Sequence, residues 1–117
     1  MPLKVDRSSL ESGVEVIKLA GSLTLGRDAQ NFELSVEELV KNQQTRIVLD
    51  MTEVSFVDSA GVGILVGCHG KVATAGGKLR MAALTPRVLH VLKITKVDTI
   101  LLLDENVAAS LAAVSAS

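Results

Sequence analysis

Residues 54–63 read Val-Ser-Phe-Val-Asp-Ser-Ala-Gly-Val-Gly, an apolar run that breaks at Asp58-Ser59 and is followed at once by a helix-period pattern. Asp and Ser cap helix N-termini because their side-chain oxygens accept the first unpaired backbone N–H groups. The helix dipole also favours negative charge at this position. From the residues alone, Ser59 is therefore a structural cap, a nucleophile or a phosphorylation site.

The composition predicts an aliphatic core with few aromatic side chains. Of 117 residues, 48% are hydrophobic and only 2% are aromatic, which suits a sheet buried on both faces. No apolar run approaches the roughly 20 residues that span a bilayer, and the start lacks the basic and apolar regions of a signal peptide. We expect one domain over residues 1–117, with a frayed tail at 113–117 and no membrane insertion.

The single cysteine, Cys68, excludes an internal disulfide and favours a reducing, cytoplasmic location. Together with only His69 and His90, it does not make a zinc ligand set. We therefore expect neither a metal site nor a cofactor.

The charges are distributed unevenly along the chain. Residues 59–97 contain six bases and no acid, although the net charge of the whole chain is -1. Two interpretations remain open, an ordinary solvated surface or a basic face that meets an acidic partner. Nucleic acid is a poor candidate for that partner because aromatic stacking residues are missing and the bases are spread out.

Hydrophobic periodicity predicts an α/β fold in which strands and helices alternate from residue 46 onward. The expected sheet is mixed and mostly parallel, with four to five strands and about four helices. The predicted strands are an edge strand at 4–7, then 14–20 ended by Gly21, 47–49, 78–81 and 100–103. The predicted helices are 27–42, 61–75, one that starts at Thr85-Pro86, and one that starts at Asp104-Glu105.

Two enzymatic interpretations fit the residues poorly. The glycines at 61, 63 and 67 do not have dinucleotide-binding spacing, and no acid follows until Asp98, so small residues there favour close packing of a helix. A serine hydrolase would need Gly rather than Val57 two places before Ser59. His69 lies ten residues along the same helix, about 15 Å from Ser59, which is too far for a base.

The chain from about Val14 to Ala113 resembles the STAS domain of bacterial anti-sigma factor antagonists. The resemblance is carried by the segments Ile47–Asp50 and Val54–Gly67, by the Gly76-Gly77-Lys-Leu strand entry, and by Leu84-Thr-Pro-Arg-Val-Leu. The Asp-Ser-x-Gly-x-Gly element at this place in the strand and helix order is its most specific part.

The resemblance implies a partner-binding switch rather than an enzyme. Ser59 is then the phosphoacceptor, and Asp58, Ala60, Gly61, Val62 and Thr24 are expected to join it in binding the partner. The partner implied is an anti-sigma factor, often a GHKL-type serine kinase, which the unphosphorylated protein binds and so frees a sigma factor. Phosphorylation by that kinase breaks the complex, and a metal-dependent serine phosphatase restores it.

One position departs from the family pattern. The family commonly has Gly-Glu-Leu-Asp or a close variant after the second strand, whereas this chain reads Gly21-Ser-Leu-Thr24. Thr24 therefore replaces an acid that the family places near the phosphoacceptor. The alternative to a phosphorylated binding module is a STAS scaffold or transport-complex subunit in which Ser59 is only a cap.

Overall fold

The computed structural model of the chain describes residues 2–115. Five strands form one sheet in the order β1-β2-β3-β4-β5, in which β1 is antiparallel to β2 and the other neighbours are parallel. The strands are β1 Lys4–Ser9, β2 Glu15–Leu23, β3 Arg46–Val57, β4 Lys78–Ala82 and β5 Leu102–Asp104. The helices of this part of the chain are α1 Arg27–Lys41, α2 Ser59–Thr74, α3 Pro86–Ile94 and α4 Val107–Ser115. The predicted α/β class, with a mixed and mostly parallel sheet, is confirmed.

Three helices cover one face of the sheet and one helix covers the other. The connections through α1, α2 and α3 each join neighbouring parallel strands and proceed in the same direction across the sheet. Because such crossovers are right-handed, these helices form one layer, and their buried side chains share one core cluster. The fourth helix, α4, packs on β3 and β4 from the opposite side, around Val48 and Val114.

The helix stripes follow the predicted periodicity. In α1 the side chains of Phe32, Val36 and Leu39 are fully buried, and in α2 those of Leu65, Cys68 and Val72 are fully buried. The helix predicted at 61–75 ends at Thr74, and Ala75 is its exposed C-terminal cap residue.

The prediction that Gly21 ends the second strand is wrong. Strand β2 continues to Leu23, and Gly21 lies within it at a φ of +103°, beside a shift in the pairing register with β3. A side chain at this position would overlap the backbone carbonyl oxygen of Pro2. Glycine therefore permits a bulge and a close backbone approach here, rather than a chain reversal.

Strand β3 is longer than predicted. The segment 47–49 and the apolar run 54–57 belong to one continuous strand of 12 residues. The register of β3 with β2 shifts twice, and Thr52 and Glu53 in the middle of β3 are exposed. The apolar pattern is therefore interrupted, and the sequence indicated two separate segments instead of one strand.

The last two elements begin later than predicted. Ile100 is 51% exposed and lies in a turn, so β5 starts only at Leu102. Helix α4 starts at Val107 because Asn106 is its cap, with Oδ1 accepting a 2.8 Å hydrogen bond from the Ala109 N–H. The helix continues through Ser115, and residues 116–117 lie outside the described part, so the expected frayed tail at 113–117 stays a prediction.

Helix length and hydropathy together bear on whether a helix can span a membrane. None of the helices within residues 2–115 is both long enough and apolar enough to cross a bilayer.

Candidate functional site

The common direction of the parallel strands places three helix starts at one edge of the sheet. Strands β2, β3 and β4 end at this edge, and α1, α2 and α3 begin there. The N–H groups of a first helical turn lack intrahelical acceptors, so this edge presents backbone donors and positive helix dipoles. Residues 58–62 and Thr24, which the sequence singled out, all lie here.

Asp58, rather than Ser59, caps helix α2. Its Oδ1 accepts a 2.8 Å hydrogen bond from the Gly61 N–H, and its backbone is extended, as expected for a cap residue. Ser59 is the first residue of the helix and is exposed. Its hydroxyl makes no hydrogen bond within residues 2–115. The capping alternative for Ser59 is therefore wrong, because a neighbouring side chain performs that role.

Gly61 allows the start of α2 to lie directly on β2. A Cβ at this position would overlap the carbonyl oxygen of Leu23 and would come within 2.9 Å of Val57 Cγ1. Gly63 has open space where its side chain would be, so the predicted close packing depends on Gly61 and not on Gly63. Val62 is also buried, at 6% exposure, whereas Ala60 is half-buried.

Thr24 lies on the neighbouring strand end, next to the start of α2. Leu23 pairs with Val57, and its carbonyl oxygen accepts a 3.3 Å hydrogen bond from the Asp58 N–H. Thr24 follows directly and lines a hollow of about 100 Å³ at the start of α1. The strand register thus brings together the two segments that the resemblance placed at one site.

Two further features of this edge were missed in the sequence. Leu25, directly after Thr24, is 75% exposed although it is a large apolar residue. Its position outside the helix stripe of α1 was the signal that could have identified it. The second feature is the Arg87 guanidinium, which lies 5.1 Å from the ring centroid of Phe56 and joins the start of α3 to the end of β3. No spacing in the sequence predicts that stacking.

The other chemically reactive side chains are placed elsewhere. His69 lies on α2 ten residues after Ser59, and His90 is exposed on α3. Neither is hydrogen-bonded to the Ser59 hydroxyl, so the described residues show no assembled nucleophile and base. Cys68 is fully buried, and this burial raises the pKa of its thiol to about 12. A thiol in such surroundings is inert.

Comparison with known proteins identifies a family and related sequences. The family model described as the STAS domain matches residues 10–111. An anti-sigma-B factor antagonist of Bacillus subtilis (strain 168) is 28% identical over 103 residues, which cover 86% of this chain and 90% of the relative.

Solved structures show the same fold. A putative anti-sigma factor antagonist from Thermotoga maritima superposes with a TM-score of 0.85 at 20% identity, covering 94% of this chain and 93% of that one. The Bacillus protein SpoIIAA in its phosphorylated form superposes with a TM-score of 0.71 at 18% identity, covering 91% and 96%. Because the family model matches most of its length, at residues 10–111, the chain belongs to the STAS domain family.

Proposed function

We propose that this protein is an anti-sigma factor antagonist controlled by phosphorylation of Ser59. Unmodified, it binds an anti-sigma factor and so frees a sigma factor for transcription. Once Ser59 is phosphorylated, the complex dissociates. The protein is a substrate and binding partner, not an enzyme, and we place it in the cytoplasm.

The observation that carries this proposal is the state of the Ser59 hydroxyl. It is exposed on the first residue of α2 and makes no hydrogen bond within the described chain, because Asp58 already caps the helix. A kinase can therefore reach the hydroxyl without breaking a cap. The relative from Bacillus subtilis bears the name of an anti-sigma-B factor antagonist, and the fold neighbour SpoIIAA has a phosphorylated form, which supports the same role.

We expect phosphorylation of Ser59 to weaken binding of the partner and to leave the fold intact, for electrostatic reasons. A phosphate adds about -1.5 to -2 charges at a helix N-terminus, where the dipole favours it by about 0.3–1 kcal/mol. The adjacent Asp58 carboxylate opposes part of that gain. A partner packed over the same position would instead bury an unpaired charge, at a cost of several kcal/mol.

The proposed contact surface consists of exposed groups around Ser59. Asp58, Ala60 and Thr24 lie at its border, and Leu25 offers apolar area next to Thr24. Gly61 and Val62 are buried, so in this proposal they hold the helix start in place rather than contact the partner. The partner is an anti-sigma factor that is also a GHKL-type serine kinase, and a metal-dependent serine phosphatase reverses the modification.

The proposal predicts that Ser59 is the residue phosphorylated by the anti-sigma kinase encoded by the same genome. The test is incubation with that kinase and ATP, followed by mapping of the phosphopeptides. Ser59→Ala should remove the modification, whereas Ser55→Ala should leave it intact. A phosphate found on Ser55 or Thr24 in the wild-type protein, with Ser59 unmodified, contradicts the proposal.

A second expectation concerns Ser59→Asp, in which a carboxylate supplies part of the phosphate charge. Because a helix N-terminus accepts that charge, the melting temperature should change by no more than a few degrees. Affinity for the anti-sigma factor should fall at least tenfold, equivalent to about 1.4 kcal/mol, as measured by calorimetry. Ser59→Thr keeps the hydroxyl and is the matched control. Unchanged affinity in Ser59→Asp would refute the switch.

A third expectation concerns Thr24, which follows Leu23 directly and so lies next to the start of α2, where Ser59 is phosphorylated in this proposal. An acid here could position the seryl hydroxyl or a metal ion in the complex with kinase or phosphatase. We expect Thr24→Asp to raise the rate of phosphorylation of Ser59 while binding of the unmodified protein stays within about tenfold. Time courses with one kinase preparation compare the two proteins, and Thr24→Asn serves as the uncharged control. Equal rates would show that this position does not affect phosphorylation.

A further inference from the structure

Two of the six bases in the acid-free segment 59–97 form ion pairs in the fold. The Lys71 ammonium lies 2.7 Å from Glu37 Oε1, between α2 and α1. The Arg80 guanidinium forms a second ion pair, 2.7 Å from Asp104 Oδ2, between β4 and β5. These two cations are therefore neutralised by acids that the fold brings from outside the segment.

Three of the remaining cations gather on α3 and on the turn that ends it. Arg87, Lys93 and Lys96 are exposed, and none of them forms an ion pair with residues 2–115. His90, also exposed, lies on the same helix. The sixth base of the segment, Lys78, is exposed at the start of β4, at the edge of the sheet where α3 ends.

Two large apolar side chains are exposed on the same segment of the chain as Lys93 and Lys96. Ile94, the last residue of α3, is 64% exposed, and Ile100, in the following turn, is 51% exposed. Lys96 lies between them in the sequence, at a φ of +61°. We define the α3 surface as the exposed residues Arg87, His90, Lys93, Ile94, Lys96 and Ile100.

The chain segment that carries the α3 surface contains three cations and one acid. Asp98 is the only acid between residues 87 and 103, and it is half-buried. The neighbouring strand β5 has only three residues and forms the edge of the sheet, so no further element of residues 2–115 lies beyond it. The surface therefore combines a net positive charge with two exposed apolar side chains, a combination found in protein interfaces.

We propose that the α3 surface docks an acidic segment of a protein partner, with apolar side chains of that segment packing on Ile94 and Ile100. Charge complementarity identifies this occupant. Nucleic acid would require a longer row of cations or exposed stacking rings, and α3 has neither. A membrane surface would require a longer amphipathic helix than these nine residues. The docking goes beyond the switch at Ser59 and does not depend on the phosphorylation of that residue.

The test uses the full chain and a synthetic helical peptide. In this peptide Leu residues recur every three or four positions to form one apolar face, and Glu residues occupy the positions beside that face. Nuclear magnetic resonance titration should shift the amide signals of α3 and of the turn at 95–101. Lys93→Glu/Lys96→Glu should weaken peptide binding at least tenfold. Lys4→Glu/Lys41→Glu changes the net charge equally at exposed lysines on β1 and α1, and its affinity should stay within about twofold. Ser59→Asp should bind the peptide as the wild type does, which separates this surface from the proposed switch.

Other outcomes would overturn the proposal. One is equal weakening in both lysine variants, which would mean that only net charge matters. Another is a titration whose shifts map away from α3, or the absence of any binding. A third is tighter binding to phosphatidylglycerol vesicles or to duplex DNA than to the peptide, which would assign the surface to a different class of partner. Unchanged peptide affinity in Ile94→Ser/Ile100→Ser would contradict the proposed packing of apolar side chains on Ile94 and Ile100.

Discussion

Gly61 is the residue that holds the start of α2, and with it Ser59, against the sheet. Glycine costs a helix about 1 kcal/mol relative to alanine, and α2 contains four glycines, at 61, 63, 67 and 70. At Gly61 the missing side chain is required, because the Leu23 carbonyl oxygen occupies the space. At Gly63 and Gly70 no described atom lies within 4 Å of the point that a Cβ would occupy, so packing within the chain does not demand glycine there.

Two alanine substitutions in the same helix should therefore have opposite effects on the free energy of unfolding. Gly61→Ala forces α2 away from β2 and should cost at least about 2 kcal/mol. Gly63→Ala meets no neighbour and should stabilise the protein by up to about 1 kcal/mol. Urea unfolding of the two variants measures both values. Similar changes in the two would show that helix propensity alone acts at Gly61.

At the scale of elements, one cluster of polar side chains joins β4, β5 and α4. Arg80 donates hydrogen bonds of 2.7 and 3.1 Å to Asp104, and the Ser110 hydroxyl donates a third bond, of 2.7 Å, to the same carboxylate. The Arg80 and Asp104 side chains are only 18% and 12% exposed. The hydrogen bonds from Arg80, and then that from Ser110, hold the pKa of Asp104 below its usual value.

The lowered pKa of Asp104 predicts a loss of stability in acid. Its contribution is fully present above the unfolded-state pKa, about 4, and is lost as the pH falls through the lower folded-state value. Asp104→Asn should cost about 2 kcal/mol at pH 7, and the gap to the wild type should narrow at acid pH. Denaturant unfolding from pH 7 to pH 2 measures this difference.

A surface ion pair is the control for this cluster. Glu53 pairs with Lys18 at 2.6 Å, but the two side chains are 57% and 46% exposed. Solvent screens such a pair, so Glu53→Gln should change stability by less than about 1 kcal/mol. A difference between Asp104→Asn and the wild type that stays constant with pH would contradict the role given to the carboxylate.

At the scale of the whole molecule, the buried thiol reports how the core opens. Cys68 packs in the cluster between α2 and the sheet with no exposed surface, and burial raises its pKa to about 12. A thiol reagent needs the thiolate and physical access, and both require the core to open.

Labelling of Cys68 at pH 8 should therefore follow global unfolding. We expect the native protein to react slowly with a disulfide reagent, with a rate that rises with denaturant as the unfolded fraction does. Cys68→Ala/Gly70→Cys moves the thiol to an exposed position on the same helix and should react at once. A slow native rate that does not respond to denaturant would indicate local access instead.

Much of the fold followed from local patterns. The stripe of Phe32, Val36 and Leu39 predicted α1, because a helix must bury one face. Thr85-Pro86 predicted the start of α3, and the Thr85 hydroxyl does accept the Val88 N–H. The patterns failed where residues distant in sequence decide the local structure. Gly21 was predicted to end β2 but forms a bulge inside it. Asp104 was predicted to start the last helix, but it pairs with Arg80, and Asn106 caps α4 instead.

The sequence by itself determined the α/β class and the helix start at residues 58–59, since periodicity and capping chemistry are local properties. The family was identified from the resemblance of its motifs and not from these patterns. Only the tertiary structure decided that Asp58 caps α2 and leaves the Ser59 hydroxyl free, and that Thr24 and Leu25 lie at the same edge. It also decided which cations remain unpaired on α3. These outcomes depend on strand register and on partners distant in sequence, and no local pattern contains that information.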